Sequence, residues 1–389
     1  MANQKNRRSR RYENDLDYSL ILIVLFLLGF GLIMIYSASS YDASIDEKFG
    51  YNSTYYLEKQ LFAVILGLLA MVFVAQIPYQ IWKRFAVICY VVSIILILLV
   101  LTPLGIEANG ARRWLNLGIS VQPAEIAKLA IIIFLATFIC KLGKQINITK
   151  VFWIVFFSSS PLSILVYVIT SNLSSAIIIF GIGVLMLFVA SKEYKKFVLM
   201  ASAVLAAVAV LVIYLVQLDT TSSDLSFRST RILSWLNPES DATGTGFQTL
   251  QSLYAIGSGG IFGKGLGESM QKLGFLPETQ NDMIFAIICE ELGLFGGIAI
   301  ILLFLLLIWR FMVIASFAPD LFGCLLVVGV MSHIAIQVIL NIAVVTNTIP
   351  NTGISLPFIS YGGSSVLFLL IEIGIVLNVA KGRRISVEE

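Results

Sequence analysis

The chain is short of charge, nearly devoid of histidine and sparing with cysteine. Only 13% of its 389 residues are Asp, Glu, Lys or Arg, against roughly 25% in ordinary soluble domains. That deficit, with 58% apolar residues and a mean hydropathy of +0.92, sets the soluble fold classes aside and describes a polytopic membrane protein. The single histidine, His333, lies inside an apolar run. One histidine excludes a His-pair zinc site, HExxH chemistry and a histidine base on a water-exposed loop. In itself it reads as a hydrogen-bonded packing residue. Cys89, Cys140, Cys289 and Cys324 all lie in or beside apolar runs. There is no CxxC spacing and no cysteine in an outer loop, so neither a metal knuckle nor a disulfide framework holds the fold. The cysteines read as small packing residues.

What is abundant is apolar sequence. Ten runs stand out, at 20–36, 61–75, 85–101, 126–140, 151–169, 176–190, 197–216, 283–308, 321–345 and 366–380. A spanning helix needs about 20 residues, and the shorter runs reach that length with flanking Tyr, Trp, Ser or Gly. The division between the fifth and sixth runs is the least sharply marked. The expected fold is all-α, a single membrane domain over 1–389 with ten transmembrane helices. Cationic residues orient it. With the N-terminus inside, 17 of the 26 Lys and Arg residues fall on the inner side. The short outer loops hold only Lys48, Lys59, Arg112 and Arg113. The basic N-terminus (1–17) and the tail (381–389) are then cytoplasmic. The long polar stretch 218–281, between helices seven and eight, is extracellular. The Arg-rich start, its apolar run and Ser37-Ala38-Ser39 imitate a secretory signal. The run is longer than a signal core and further spans follow, so it reads as an uncleaved first helix.

The long loop has internal order. Residues 225–236 suit a short helix with Arg228 and Arg231 on one face, stopped by Asn237-Pro238. A glycine-rich turn at 243–246 precedes an amphipathic segment at 247–256. Six glycines then fall within 257–267. A P-loop is excluded, because Ser258 and Gly265 stand where it needs Gly and Ser or Thr. A dinucleotide fingerprint lacks its strand–helix–strand setting. Two readings stay open: backbone amides that cradle an anion such as a diphosphate, and a flexible surface loop. The loop ends at Phe275-Leu-Pro-Glu-Thr-Gln-Asn-Asp-Met-Ile-Phe285, where Asp282 stands at the mouth of an apolar helix. A carboxylate there is costly unless it has a task.

Other charges lie within the spans. Glu125 and Lys128 are three apart, hence neighbours on one helical face, behind Pro123 in a first-turn position. They read either as the charged wall of a polar cavity or as an ion pair that fixes packing. On the eighth run Glu290 lies about 80° and Glu291 about 180° from the Asp282 face. A three-carboxylate relay is thereby excluded, and each glutamate meets a different neighbour. Glu372 reads as a polar tie between helices. The proline- and glycine-rich stretch 347–365 suggests a partly re-entrant outer loop, which survives only where protein or a watery cavity satisfies its backbone.

These stretches together resemble the SEDS family (shape, elongation, division and sporulation) that includes FtsW, RodA and SpoVE. The resemblance is carried by Asn109-Gly-Ala-Arg-Arg-Trp-Leu, Gln122-Pro-Ala-Glu-Ile-Ala-Lys128, Arg231 to Asn237-Pro238, Gln251-Ser-Leu-Tyr-Ala-Ile-Gly-Ser-Gly-Gly260, Gly263-Lys-Gly-Leu-Gly267, Leu276-Pro-Glu278 with Asp282, Glu290-Glu291-Leu-Gly293 and Leu356-Pro-Phe-Ile-Ser-Tyr-Gly-Gly-Ser-Ser365. Gly267-Glu-Ser-Met-Gln-Lys272 is more similar to the division and sporulation branches than to the elongation branch. The resemblance implies a peptidoglycan glycosyltransferase in the bacterial plasma membrane that polymerises lipid II, the undecaprenyl-linked disaccharide peptide, on the outer face. It also implies a class B penicillin-binding protein as transpeptidase partner, among division or sporulation complex proteins. The family's catalytic acid falls on Asp282, and its acid–lysine pair on Glu125 and Lys128. Two departures stand out: Gln280-Asn281 replaces a common His-Thr, and Ser171-Asn-Leu-Ser174 replaces Pro-Asp-Leu-Gly.

The implied chemistry is one inverting displacement, in which an acceptor 4-hydroxyl attacks the anomeric carbon to form a β-1,4 link. Undecaprenyl diphosphate leaves. Asp282 is the expected base. Cations must meet the leaving diphosphate: Arg231 and Lys264 foremost, with Arg228, Lys272, Arg112 and Arg113 as further candidates. Gln251, Ser258, Glu278 and Ser364, with Glu125 and Lys128, complete the candidate substrate-binding set. No cofactor is required; a divalent cation is compatible with a diphosphate, although no metal cluster stands out. Nothing points to nucleic acid. Two rivals belong to other classes. A lipid II flippase would use the same cavity but needs no base confined to one face. A scaffold that only recruits the transpeptidase would tolerate loss of Asp282.

Overall fold

A computed structural model describes residues 11–13, 16–108, 111–116, 118, 120–217, 235–241 and 246–385. A short strand β1 (Arg11–Glu13) leads into α1 (Tyr18–Ile45), α2 (Tyr55–Val74) and α3 (Gln80–Leu99). A small outer sheet follows, of β2 (Gly105–Ala108), β3 (Ala111–Asn116) and β4 (Ser120–Val121). Next come α4 (Pro123–Leu142), α5 (Thr149–Phe157), α6 (Ser160–Thr170), α7 (Leu173–Ala190) and α8 (Tyr194–Gln217). The described part of the long loop holds α9 (Phe247–Gly259). The chain finishes with α10 (Ile284–Ser316), α11 (Leu321–Val345), α12 (Gly363–Lys381) and β5 (Arg383–Ile385).

Among the described residues, nine helices are long and apolar enough to cross a membrane. They coincide with nine of the ten expected runs. The seventh run falls on α8, whose 24 residues give a length on the order of 36 Å. The boundary between the fifth and sixth runs is built by polar groups. Ser171 adopts a left-handed conformation (φ 49), and the Asn172 side chain accepts from the Ser175 amide at 3.0 Å to start α7. The fifth span itself is two pieces, α5 and α6, parted at Ser158-Ser159 just before Pro161, whose ring cannot sit within a continuous helix. The expected helix at 225–236 and the turn at 243–246 fall largely outside the described residues. The segment expected at 247–256 is α9. Two small sheets qualify the all-α expectation. The hairpin of β2 and β3 pairs Glu107 with Arg112. On the other side of the bundle, β1 and β5 pair antiparallel and bring the two ends of the chain together. There Arg310 grips Asp17 through two bonds of 2.8 and 2.7 Å, and the same carboxylate caps α1 through the Leu20 amide.

Helices α4, α7, α11 and α12 form the interior. Helix α11 packs on α4, α7, α10 and α12, while α2 covers α12 and α3 covers α4. Large apolar side chains on the outward faces of α1, α2 and α3 are exposed, as lipid-facing surfaces require.

Helix α10 departs from this regularity. At Gly293 its backbone leaves helical geometry (φ 69, ψ −168). The break releases carbonyls and amides at a depth of roughly 16 Å along the helix from Asp282, where lipid offers no hydrogen bond. The glycine stretch after α9 supplies the partners. Lys264 and Gly265 amides donate to the carbonyls of Glu290 and Glu291, each at 3.0 Å. Leu294 and Phe295 amides donate to the carbonyls of Gly260 and Ile261, at 2.9 and 3.2 Å. A Cβ on Gly263 would lie 2.2 Å from the Glu291 carbonyl oxygen, and one on Gly293 would lie 2.4 Å from the Gly263 nitrogen. Only glycine fits on either side of this seam. The substitution Gly293→Ala combines that overlap with a left-handed strain of about 1–3 kcal/mol. It should lower the melting temperature of the detergent-purified protein by several degrees; an unchanged melting curve would contradict the seam.

Candidate active site

The loop closes on α10 through Asp282. Glu278, in a left-handed conformation (φ 56), accepts at its carbonyl from the Asn281 and Met283 amides at 3.1 and 3.3 Å. Its side chain also bonds Asn281. The chain thus turns sharply before the first helical residue, Ile284. The Asp282 carbonyl accepts from the Asn341 side chain of α11 at 2.8 Å. The same amide nitrogen donates to the Ile354 carbonyl at 2.6 Å. Asp282 is buried, with 9% exposure.

The stretch 347–362 forms a roof beside it. Gly353 has φ +66, and a Cβ there would lie 3.7 Å from Asp282 Oδ2. The backbone of this irregular segment is satisfied by side chains from around it. Gln337 donates to the Ser355 carbonyl at 2.9 Å. Gln60 accepts from the Gly362 amide at 3.1 Å, Ser360 Oγ from the Leu356 amide at 2.7 Å. The Tyr361 amide donates to the Gln280 carbonyl at 2.8 Å. Burial pushes the Tyr361 hydroxyl up to about 12, aided by Tyr55 and Tyr56, so it stays protonated beside the site. Within the stretch 347–365, Ile354, Leu356, Phe358 and Ile359 are all buried against the protein. The long loop is tied to the same roof. Trp235 Nε1 donates to the Asn347 carbonyl at 3.0 Å, Asn351 to Gln248 at 2.7 Å, and Ser252 to the Val345 carbonyl at 2.8 Å.

The structure gives Lys264 and Lys272 a different task from the one expected. Lys264 Nζ lies 2.6 Å from Glu290 Oε1. Glu290 also accepts from the Met270 and Gln271 amides at 3.1 and 3.3 Å, from Ser258 at 3.4 Å and from Ser269. Lys272 Nζ lies 2.9 Å from Glu291 Oε1 and donates to the Gly267 carbonyl at 2.6 Å. Ser37 of α1 donates to both Glu291 oxygens, at 2.6 and 2.9 Å. These lysines neutralise carboxylates that would otherwise stand alone at membrane depth. Of the two readings left open for the glycine loop, the flexible one does not describe this segment, since the Lys264 and Gly265 amides donate to the broken helix. The two glutamates do meet different neighbours, although Glu290 meets the loop and not a helix. Ser258 joins the Glu290 cluster.

Elsewhere the expected pairs form. Lys128 Nζ lies 2.8 Å from Glu125 Oε1, with both side chains buried. His333 Nδ1 lies 2.8 Å from Glu372 Oε2, which joins two residues read separately from sequence and ties α11 to α12. Arg112 meets Glu107 at 3.4 Å on the exposed hairpin. Arg113 donates to the Ser171 carbonyl at 3.3 Å. A few residues on, Ser174 donates to the Thr352 carbonyl, so the hairpin is linked through the start of α7 to the roof over Asp282. Gln251 is half-buried on α9 and Ser364 half-buried in the first turn of α12. Arg228 and Arg231 lie outside the described residues. Asn341 and Gln337 were missed from sequence. Their signal was present: with His333 they are polar residues at i, i+4 and i+8 of an apolar helix, a stripe that must find partners in a dry interior.

Fold and site together define a helical membrane protein that holds a buried carboxylate at the mouth of a broken helix, under a roof of irregular loops. The chain belongs to the FtsW/RodA/SpoVE family of cell cycle proteins, whose profile matches residues 18–385. It is 42% identical over 370 residues to stage V sporulation protein E of Bacillus subtilis, covering 95% of this chain and 98% of that one. It is 38% identical over 374 residues to a probable peptidoglycan glycosyltransferase FtsW of Trichlorobacter lovleyi, covering 96% and 95% of the two chains. Its fold matches a chain in the solved structure of a peptidoglycan synthase complex, with a TM-score of 0.76 at 24% identity over 94% of this chain and 97% of that one.

The Glu125–Lys128 pair can be tested directly. Lys128→Met strands a buried carboxylate and should destabilise the protein by roughly 3–5 kcal/mol, whereas the double change Glu125→Gln with Lys128→Met should recover most of that loss. Melting in detergent checks both; a double variant no more stable than the single one would show that the pair is not a unit.

Proposed function

We propose that this chain is a peptidoglycan glycosyltransferase that polymerises lipid II at the outer face of the bacterial plasma membrane. The observation that carries the reading is Asp282, a carboxylate buried at the mouth of α10 where a membrane-anchored sugar would hang. Kinship supports it, since relatives at 38% identity are named probable peptidoglycan glycosyltransferases. Asp282 accepts the proton of the acceptor 4-hydroxyl as the β-1,4 bond forms, and undecaprenyl diphosphate departs from the opposite side. A single displacement inverts the anomeric centre, so no covalent sugar–enzyme intermediate is formed. Gln280 stands where a histidine occurs in many relatives, which leaves the base role to the aspartate.

The leaving diphosphate needs positive charge where it departs. Lys264 and Lys272 are matched by fully buried Glu290 and Glu291, whereas the Arg112–Glu107 pair is exposed to water, so this task falls to Arg231 and Arg228, with Arg112 and Arg113 of the hairpin. Among the described residues no three His, Cys, Asp or Glu side chains are grouped to hold a metal ion. The charge distribution supports ten spans with both termini cytoplasmic. A class B penicillin-binding protein is the partner we assign, supported by the fold match to a complex that coordinates polymerization and crosslinking. The sporulation and FtsW relatives favour a role in spore or septal wall synthesis.

Asp282→Asn preserves shape and removes the base. Purified in detergent with lipid II, it should melt as the parent does and lose at least about a hundredfold in polymerisation rate. Polymerisation at the parental rate would overturn the reading.

A further inference from the structure

The carbonyl of Asp282 lies outside the hydrogen-bond ladder of α10, because the Ala286 amide donates to Met283 at 3.0 Å. It accepts from the side chain of Asn341, wholly buried, which also holds the Ile354 carbonyl. One amide group therefore clamps two backbones that approach from different parts of the chain. One backbone carries Asp282. The other carries Gly353, the residue set against the Asp282 carboxylate.

Asn341 is the outermost rung of a stripe. One turn deeper on α11, Gln337 donates to the Ser355 carbonyl at 2.9 Å and to Ser355 Oγ at 3.4 Å. One turn deeper again, His333 pairs with Glu372 of α12, the helix into which the roof runs. Residues four apart stack on one face with a drift of about 40° per step. Three successive turns of α11 thus hold the roof and its following helix from beneath. Asn341 also reaches sideways to the base.

We infer that Asn341 is a positioning residue for glycosyl transfer: it sets the Asp282 carboxylate and the Gly353 roof at a fixed separation, so that the base meets the acceptor hydroxyl. Asn341 does not touch the substrate. Its action is on geometry, where a misplacement of about 1 Å costs roughly a hundredfold in rate. Loss of the clamp should therefore lower kcat and leave the KM for the lipid-linked substrate nearly unchanged, since binding surfaces away from the base are intact.

This inference rests on the polymerase reading, and the experiment separates the two. The full-length protein in proteoliposomes is assayed on lipid II as parent, Asn341→Leu, Asn341→Gln, Asp282→Asn and Ser332→Ala. Ser332 is a control on the same helix; its hydroxyl bonds only the Val328 carbonyl. Asn341→Leu should lose thirty- to a hundredfold in kcat with KM within threefold. Asn341→Gln, which keeps an amide on a longer arm, should regain part of that loss. Ser332→Ala should match the parent. Hydrogen exchange of the same proteins should show faster exchange in Asn341→Leu at 279–286 and 351–356, with the other helices unchanged. Parental kcat in Asn341→Leu, or exchange that rises evenly along the chain, would overturn the clamp. Should Asn341→Leu fail to fold, Asn341→Gln decides: parental kcat and parental local exchange would overturn it. If the parent itself makes no glycan, the polymerase reading falls, and the local exchange still judges whether Asn341 fixes the Asp282 segment.

Discussion

A bilayer supplies no hydrogen bonds to a backbone, and the irregular segments on either side of Asp282 answer to that constraint. Helix α10 breaks at Gly293 inside the membrane-spanning region. It can do so because the glycine stretch of the outer loop donates and accepts at the broken ends. The two glutamates beside the break then need counter-charges, and Lys264 and Lys272 provide them. The long loop is thus docked into the bundle by backbone bonds and by two ion pairs.

A docked loop places Asp282. The chain leaves the glycine seam, turns at Glu278 and enters α10 at a level set by that seam. The roof at 347–362 obeys the same rule, with its carbonyls and amides satisfied by Gln60, Gln337, Asn341 and Gln280. Two segments that would be unstable in lipid are each stable against protein, and the Asp282 carboxylate lies where they meet. That location suits the proposed glycosyl transfer: a carboxylate at the mouth of a helix, between two irregular segments held by the protein.

Local spacing made some of this legible in the sequence. Glu125 and Lys128, three residues apart, had to be neighbours, and they pair at 2.8 Å. The helical phases of Glu290 and Glu291 separated them from each other, and they do meet different partners. The excess of glycine in 257–267 signalled close backbone approach, but what is approached lies some 30 residues onward, across the bundle. That distance carries no local pattern, so the sequence left both an anion cradle and a flexible loop open and did not show the backbone seam. The partners of Lys264 and Lys272 were hidden for the same reason, because Glu290 and Glu291 lie some 20 residues onward. Asn341 is the clearest case. Its type and its stripe with His333 and Gln337 were visible, whereas the two carbonyls it holds, at Asp282 and Ile354, belong to segments that only the fold brings together.

The central claim is that the protein makes glycan at the face that carries Asp282. The most direct measurement supplies lipid II to proteoliposomes of the purified chain and resolves the products on a gel, while following the sidedness of the lipid. The account predicts a ladder of β-linked glycan, formed on the Asp282 side from substrate already on that side. Movement of lipid II across the membrane with no glycan formed would contradict it.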